Sequence, residues 1–268
     1  MGERIFMLEG YCRICGDFSR LTVDHIPPKA CGNALPVEVE FFHKKKTIQR
    51  GLSAKTICGK CNNERLGAMY DNELVRIYRE MDLYYQTSLY LGSRFVRLNV
   101  DTVSLVKSAI GHILAANFSD KIKLQRLLSE PLSDEGIFDE YRDYFLGRSN
   151  QLENFDVYYW YYPFKNIKLI PYYGFVPDYF GTGNYPVFGT LFKFFPIALF
   201  FLHKPSSKSL LKFPTIPTDH QLPFLQVDMR REVHELWPDR PDDKMIVLLN
   251  QESDVKARAK ATRGNAKT

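Results

Sequence analysis

Two cysteine pairs, Cys12-Arg-Ile-Cys15 and Cys58-Gly-Lys-Cys61, limit what this chain can fold into more than any other feature. Two residues between paired cysteines let both sulfurs of a tight turn reach one ion, and two such pairs complete a tetrahedral four-thiolate zinc site. In a reducing compartment that reading comes before disulfides. The 42 residues between the pairs must then leave and return to one point. Residues 26–52 carry Pro27, Pro28, Gly32, Pro36 and Gly51, so this stretch is expected to be irregular and to gain its folding energy from the ion. Cys31 stands alone and reads as a bystander.

Around this staple the elements follow from periodicity. Residues 1–11 and 21–24 read as strands, the first knuckle between them closed by Gly16. The alternating stretch Val37-Glu-Val-Glu-Phe-Phe42 reads as a further short strand. Leu66, Met69/Tyr70, Leu74, Ile77 and Met81 recur at spacings of three and four, predicting a helix that starts near Asn62, directly after the second pair. A second helix is predicted from Asp101, its N-cap, with Val103, Val106, Ile110 and Ile113/Leu114 inward. Residues 120–130 and 134–146 read as helices split by Pro131. From Phe155 to Phe201 the chain turns aromatic, and 155–175 reads as two paired strands turning near Lys165-Asn166. Residues 245–250, MIVLLN, read as a buried strand.

The expected class is α+β: a zinc-stapled module over 1–95, a helical stretch leading into an aromatic-rich α+β domain over 96–255, and a basic, unstructured tail over 256–268. With 16 Tyr and 20 Phe a sizeable core is available, and 45% hydrophobic against 25% charged residues is ordinary for a soluble globular chain. The longest apolar run, Phe194 to Leu202, is nine residues, too short to cross a bilayer. The start lacks the apolar core of a signal peptide. A cytoplasmic protein with no membrane partner is expected. The net charge of +5 favours a polyanionic partner.

Between the cysteine pairs lies Leu-Thr-Val-Asp24-His25-Ile-Pro-Pro-Lys. Hydrolysis of a phosphodiester needs a base, a divalent cation to steady charge at phosphorus, and a ligand set for that cation. His25 suits the base, since imidazole titrates near neutrality. Asp24 suits a hard cation such as Mg²⁺. Neighbours on a strand point to opposite faces, and the break at Pro27-Pro28 is expected to let the two converge. Asn62, at the helix start and tied to the knuckle, is the expected second oxygen ligand, with Asn63 and then Glu64 next in line. Read alone, Asp24-His25 is an inert strand-end pair and Asn62 a helix N-cap; the cysteine pairs around them shift the balance to catalysis.

The run CRICG…LTVDHIPPK…ICGKCNNERLG resembles the HNH nuclease superfamily, the ββα-metal fold, in its zinc-stapled, endonuclease VII-like form. The resemblance covers about residues 8–80. It implies that His25 is the general base, that Asp24 and Asn62 hold a catalytic Mg²⁺ or Mn²⁺, and that Cys12, Cys15, Cys58 and Cys61 hold structural zinc. It further implies an endonuclease that cuts or nicks DNA. Many members carry an Asn five residues before the second knuckle that orients the His; here that place is Ser53, leaving a neighbouring hydroxyl or a backbone carbonyl to do so. By analogy with small nucleases of anti-phage systems, an ATPase or other partner protein, or self-association, is expected. The rival reading is a non-catalytic zinc module that binds nucleic acid or a partner protein.

Lys29, Lys44, Lys45, Lys46 and Arg50 lie in the expected loop, with Lys55 and Lys60 beside the knuckle, and are the candidates for backbone phosphate contacts. His43, His112, His203, His220 and His234 have no partner motif and read as structural. The aromatic strands read as core rather than as base-stacking platforms.

Overall fold

The computed structural model describes residues 9–34, 37–41, 44–86, 95–116, 134–162, 168–175, 187–204, 213–229, 245–250 and 253–259. Of these, 37–41, 44–47, 85–86, 134–137, 168–175, 187–188, 245–250 and 253–259 are described by their backbone alone. The expected helix over 120–130, the turn at Lys165-Asn166, His43 and His234 lie outside the described residues.

The class is mixed α+β. The first knuckle joins strand β1 (Glu9–Tyr11) to β2 (Phe18–His25), which pair antiparallel. Gly16 closes the turn with φ +81, a left-handed backbone that suits glycine. β2 then pairs antiparallel with β5 (Ser53–Cys58), giving the sheet order β1-β2-β5. Within the stretch read as irregular, β3 (Val37–Phe41) and β4 (Lys44–Ile48) form a hairpin. The strand expectation for 37–41 holds. The loop expectation for Lys44, Lys45 and Lys46 does not: they lie on β4, where alternation of Val and Glu opposite Lys and Thr supports antiparallel pairing.

Directly after β5 the chain winds as a π-helix, Lys60–Tyr70, and continues as α1 (Asp71–Gln86). Leu66, Leu74, Ile77 and Met81 are buried as the spacing predicts. Met69 is instead 58% exposed. A π turn is wider than an α turn, so the position three residues after Leu66 rotates off the buried face, and Tyr70 takes its place.

α2 (Thr102–Ala116) is the central helix of the molecule. Asp101 caps it as expected, its Oδ1 accepting from the amides of Val103 at 3.0 Å and Ser104 at 3.1 Å. Burial extends nearly all round it, including Ser108 and His112, because α1, the π segment, α3 (Asp134–Leu146), β5 and β2 all pack on it. Gly111 makes the closest approach possible: a Cβ there would lie 2.5 Å from Leu66 Cδ1 and 2.8 Å from Phe145 Cε2.

The aromatic half forms one nine-stranded sheet with β3 and β4. Its further strands are β7 (Phe155–Tyr161), β8 (Lys168–Phe175), β9 (Val187–Phe194), β10 (Ile197–His203), β11 (Thr215–Ile216), β13 (Met245–Asn250) and β14 (Ser253–Ala259). The order is β11-β7-β10-β9-β8-β13-β14-β3-β4, antiparallel except for β8 with β13. The expected β7–β8 pairing is therefore corrected: the β9–β10 hairpin lies between them. β7 and β10 are buried along almost their whole length, and strands without a solvent face pair in the sheet interior whatever their order in the chain. The unstructured tail is corrected in part, since residues 256–259 belong to β14, which pairs with β13 and β3. Elsewhere β6 (Phe95–Leu98) pairs with β12 (Leu225–Asp228). Among the described residues no helix is long and apolar enough to cross a membrane.

Gly111→Val is expected to lower stability by about 2–3 kcal/mol through overpacking against Leu66 and Phe145. A urea midpoint equal to that of the wild type would show that this crossing is not close-packed.

Candidate metal centre and adjoining polar site

Cys12 and Cys15 come from the β1–β2 turn, Cys58 from the end of β5, and Cys61 from the first turn of the π-helix. Their four sulfurs lie within 4.8 Å of one another, and Cys15 Sγ is 3.9 Å from Cys58 Sγ. Zn–S bonds of about 2.3 Å in a tetrahedron put sulfurs about 3.8 Å apart, so the cluster is close to the size zinc requires. The backbone is arranged for thiolates: the amide of Cys58 points at Cys12 Sγ (3.3 Å) and that of Cys61 at Cys58 Sγ (3.5 Å). The pKa of Cys12 is lowered to about 4, chiefly by a hydrogen bond from the Cys61 thiol, against burial. That same bond, with burial and the neighbouring sulfurs, pushes Cys61 up, and burial raises Cys15 to about 12. Four sulfurs this close cannot all ionise without a cation among them, and a zinc ion meets that demand. Cys31 is apart from the cluster and buried, and burial raises its thiol. Arg142 on α3 donates from Nε to the carbonyl of Arg13 at 2.9 Å, pinning the first knuckle to the helical layer.

Cys61 carries Asn62 with it. The Asn62 amide donates from Nδ2 to the carbonyl of Val23 at 2.9 Å and to Thr22 Oγ1 at 3.0 Å. The sequence-predicted Asn62 is thereby fixed to β2 beside Asp24, its amide nitrogen used and its oxygen without a hydrogen bond among the described residues. Asn63 and Glu64 are exposed. The β2–β5 register shifts between Thr22 and Asp24, where two residues of β5 face one of β2. Past this bulge Asp24 turns inward and is 4% exposed, whereas His25 is half-buried. The strand alternation is thus kept.

Asp24 Oδ2 meets Nδ1 of His112 at 3.0 Å, and Oδ1 makes no hydrogen bond among the described residues. The other ring nitrogen of His112, Nε2, is 3.1 Å from Asp71 Oδ1, which also accepts from Ser108 Oγ at 2.6 Å. Burial alone would depress His112, which is fully enclosed, but the Asp24 and Asp71 carboxylates outweigh it and raise the imidazole to about 10. The sequence reading missed this residue. Its signal was the polar pair Ser108/His112, one helical turn apart on a helix otherwise apolar enough to be buried all round.

His25 Nε2 lies 3.1 Å from the carbonyl of Arg50. A carbonyl only accepts, so Nε2 carries the proton and Nδ1 keeps its lone pair. Burial and the nearby Lys29 charge lower the pKa of His25, against the Arg50 carbonyl and Asp24. The neutral imidazole, the form a base requires, is favoured. The Arg50 carbonyl thus fixes the ring, and Ser53 sits opposite His25 in the β2–β5 register.

The loop that supplies this carbonyl is held by Asn33, a second residue the sequence reading missed. Asn33 is buried, and its Nδ2 donates to the carbonyls of Pro27 (2.7 Å) and Leu52 (2.8 Å). Its Oδ1 accepts from the Leu52 amide at 2.7 Å. Gly51, at φ +76, allows this contact: a Cβ there would fall 1.9 Å from the Asn33 carbonyl oxygen. An Asn between two prolines and a distant glycine gives no local sign that all its bonds go to backbone.

Lys29, Arg50, Lys55 and Lys60 are exposed. The side chains of Lys44, Lys45 and Lys46 lie outside the described ones. His203 packs edge-on against Phe155, and His220 pairs with Asp219 on the surface.

Comparison with known protein families, curated proteins and solved structures finds no match to the chain.

Purified protein is expected to carry one zinc per chain by elemental analysis. Cys58→Ser should lose the zinc and the cooperative unfolding of the β2–β5–helix unit, whereas Cys31→Ser should keep both. Asn33→Ala takes the side-chain partner from the Pro27 carbonyl and the Leu52 amide, while the Leu52 carbonyl keeps the Ile26 amide, and should cost about 2–4 kcal/mol in denaturant unfolding with zinc retained. A cost below 1 kcal/mol would show that the loop does not depend on it.

Proposed function

We propose that this chain is a metal-dependent endonuclease of the HNH type that hydrolyses DNA phosphodiester bonds, with structural zinc on Cys12, Cys15, Cys58 and Cys61. The observation that carries the reading is the junction of β2 with the π-helix. There a carboxylate with one free oxygen (Asp24), a carboxamide with its oxygen unused (Asn62) and a neutral imidazole with a free lone pair (His25) share one strand end.

The donor set fits a hard divalent cation: Asp24 and Asn62 offer oxygens only, which Mg²⁺ or Mn²⁺ prefers. Such an ion, when bound, would offset charge developing on the phosphate. The residues of the chain would do the rest. His25 Nδ1 takes the proton of the attacking water while the Arg50 carbonyl keeps the ring in the required tautomer. Lys29 and Arg50, exposed beside it, supply positive charge for the flanking phosphates, as Lys44, Lys45 and Lys46 would from β4. A role in anti-phage defence with an ATPase or other partner, and a cytoplasmic site of action, are part of the same proposal by analogy of domain habit. The rival, a zinc module that only binds nucleic acid or a partner, is not favoured by the free donors at the junction.

The test is conversion of supercoiled plasmid by the zinc-loaded chain with Mg²⁺ or Mn²⁺. Nicked or linear product is expected, abolished by EDTA. His25→Ala should reduce the rate by about 10²–10⁴-fold with zinc and unfolding midpoint unchanged. Cleavage that survives His25→Ala undiminished would overturn the assignment of the base. Metal-independent DNA binding by wild type without any cleavage, alone or with partner proteins, would favour the rival.

A further inference from the structure

His112 is the most enclosed ionisable group near the proposed site, and both of its ring nitrogens face carboxylates from other elements. Three elements meet there: β2 through Asp24, the start of α1 through Asp71, and α2 through Ser108 and His112. His112 Nε2 bonds Asp71 Oδ1, itself held by Ser108 Oγ, so the ring cannot rotate without breaking its bonds to Asp71 and Asp24. The forward nitrogen, Nδ1, takes Oδ2 of Asp24 and leaves Oδ1.

We propose that His112 is a positioning residue for the Asp24 carboxylate. Its Nδ1–H holds Oδ2 so that Oδ1 is presented to the divalent cation, and Asp71 with Ser108 holds the imidazole in turn. This rests on the reading of Asp24 as a metal ligand. Groups that orient a ligand in this way commonly change metal affinity by about 10–100-fold when removed. A carboxylate with both oxygens free would rotate and lose that preorganisation.

The two nitrogens can be separated by substitution. In His112→Asn the amide nitrogen falls near the place of Nδ1 and keeps the bond to Asp24. In His112→Gln it falls near the place of Nε2 and keeps only the bond to Asp71. The experiment is Mn²⁺ binding by the zinc-loaded full chain, followed by the free-Mn²⁺ spin-resonance signal, with thermal unfolding of each variant alongside. Wild type is expected to bind one Mn²⁺ and Asp24→Asn to lose it. His112→Gln should bind about 10–100-fold more weakly, and His112→Asn within about threefold of wild type, although both unfold at similarly lowered temperatures. Equal Mn²⁺ affinity in the two variants would leave His112 a fold staple only and overturn the proposal. Asp24→Asn losing Mn²⁺ while His112→Gln keeps it would overturn this proposal alone. Wild type without Mn²⁺ binding, or Asp24→Asn binding as well as wild type, would bring down the metal-ligand reading and this one with it. Should His112→Gln fail to fold, Asp71→Asn keeps the imidazole and removes its rear charge. Its Mn²⁺ affinity should fall about three- to tenfold, and an unchanged value would overturn the proposal.

Discussion

The cysteine cluster sets the position of everything around it. The β1-β2-β5 sheet is small and short, and a three-stranded unit with exposed Tyr11, Phe18 and Val23 buries little of its own surface. A four-thiolate zinc contributes about 10–16 kcal/mol in apparent binding energy, comparable with the whole stability of an ordinary domain at about 5–15 kcal/mol. That magnitude decides which effect orders this region. An ion held by the four sulfurs would also fix geometry: Cys58 ends β5 and Cys61 begins the helix, so the helix start would be located to within one turn. Asn62 reaches β2 from the position directly after Cys61 of the cluster.

The second constraint works in the opposite direction. Asp24, His112 and Asp71 form a polar chain centred on the fully enclosed His112. Taking charges out of water costs several kcal/mol per ion, and apolar residues of the same volume would often serve stability as well or better. Removing a single partner is expensive, about 3–5 kcal/mol, because it strands the others. Such a chain is weak as a stabiliser and strong as a device that allows one arrangement only. It joins β2 to α2, and through α2 the cysteine-bearing hairpin is seated on the helical layer.

What the sequence made legible was whatever depended on near neighbours. The C-x-x-C spacing, the Asp101 cap and the inward face of α1 are set by residues within a turn or two of each other. Asn33 and His112 escaped because their partners lie 19 and 88 residues away. Met69 escaped for a different reason: an α period was applied where the chain takes a π turn. The β7–β8 pairing failed because adjacency in the chain competes with burial, and strands buried on both faces take interior places in the sheet. The tail read as unstructured from composition alone, whereas 256–259 gain order from a strand far away in sequence. Asp24, His25 and Asn62 could be named from their order between the cysteine pairs, but not what holds each of them.

That difference explains why an Asp-His dipeptide at a strand end is useful chemistry. Strand alternation sends the two side chains into unlike surroundings, and each is held by the partner suited to its task. Asp24 goes inward, where an imidazole occupies one oxygen and the low-dielectric surroundings resist its motion. A metal ligand gains from such fixity, because an oxygen already in place loses less entropy on binding. His25 goes outward, where a carbonyl takes the proton-bearing nitrogen and the other stays in reach of water. A base gains from access, and partial burial with the nearby Lys29 charge lowers the pKa of the ring and so favours its neutral form. The bulge in β5 lets both arrangements coexist: without its extra residue, the partner strand would carry Ser53 past His25 and the Arg50 carbonyl out of reach. For phosphodiester hydrolysis as proposed, a fixed acid side chain and an accessible base on adjacent residues are a consequence of pleat geometry, and Asn62, next to Cys61 of the cysteine cluster, supplies the third group from the opposite element.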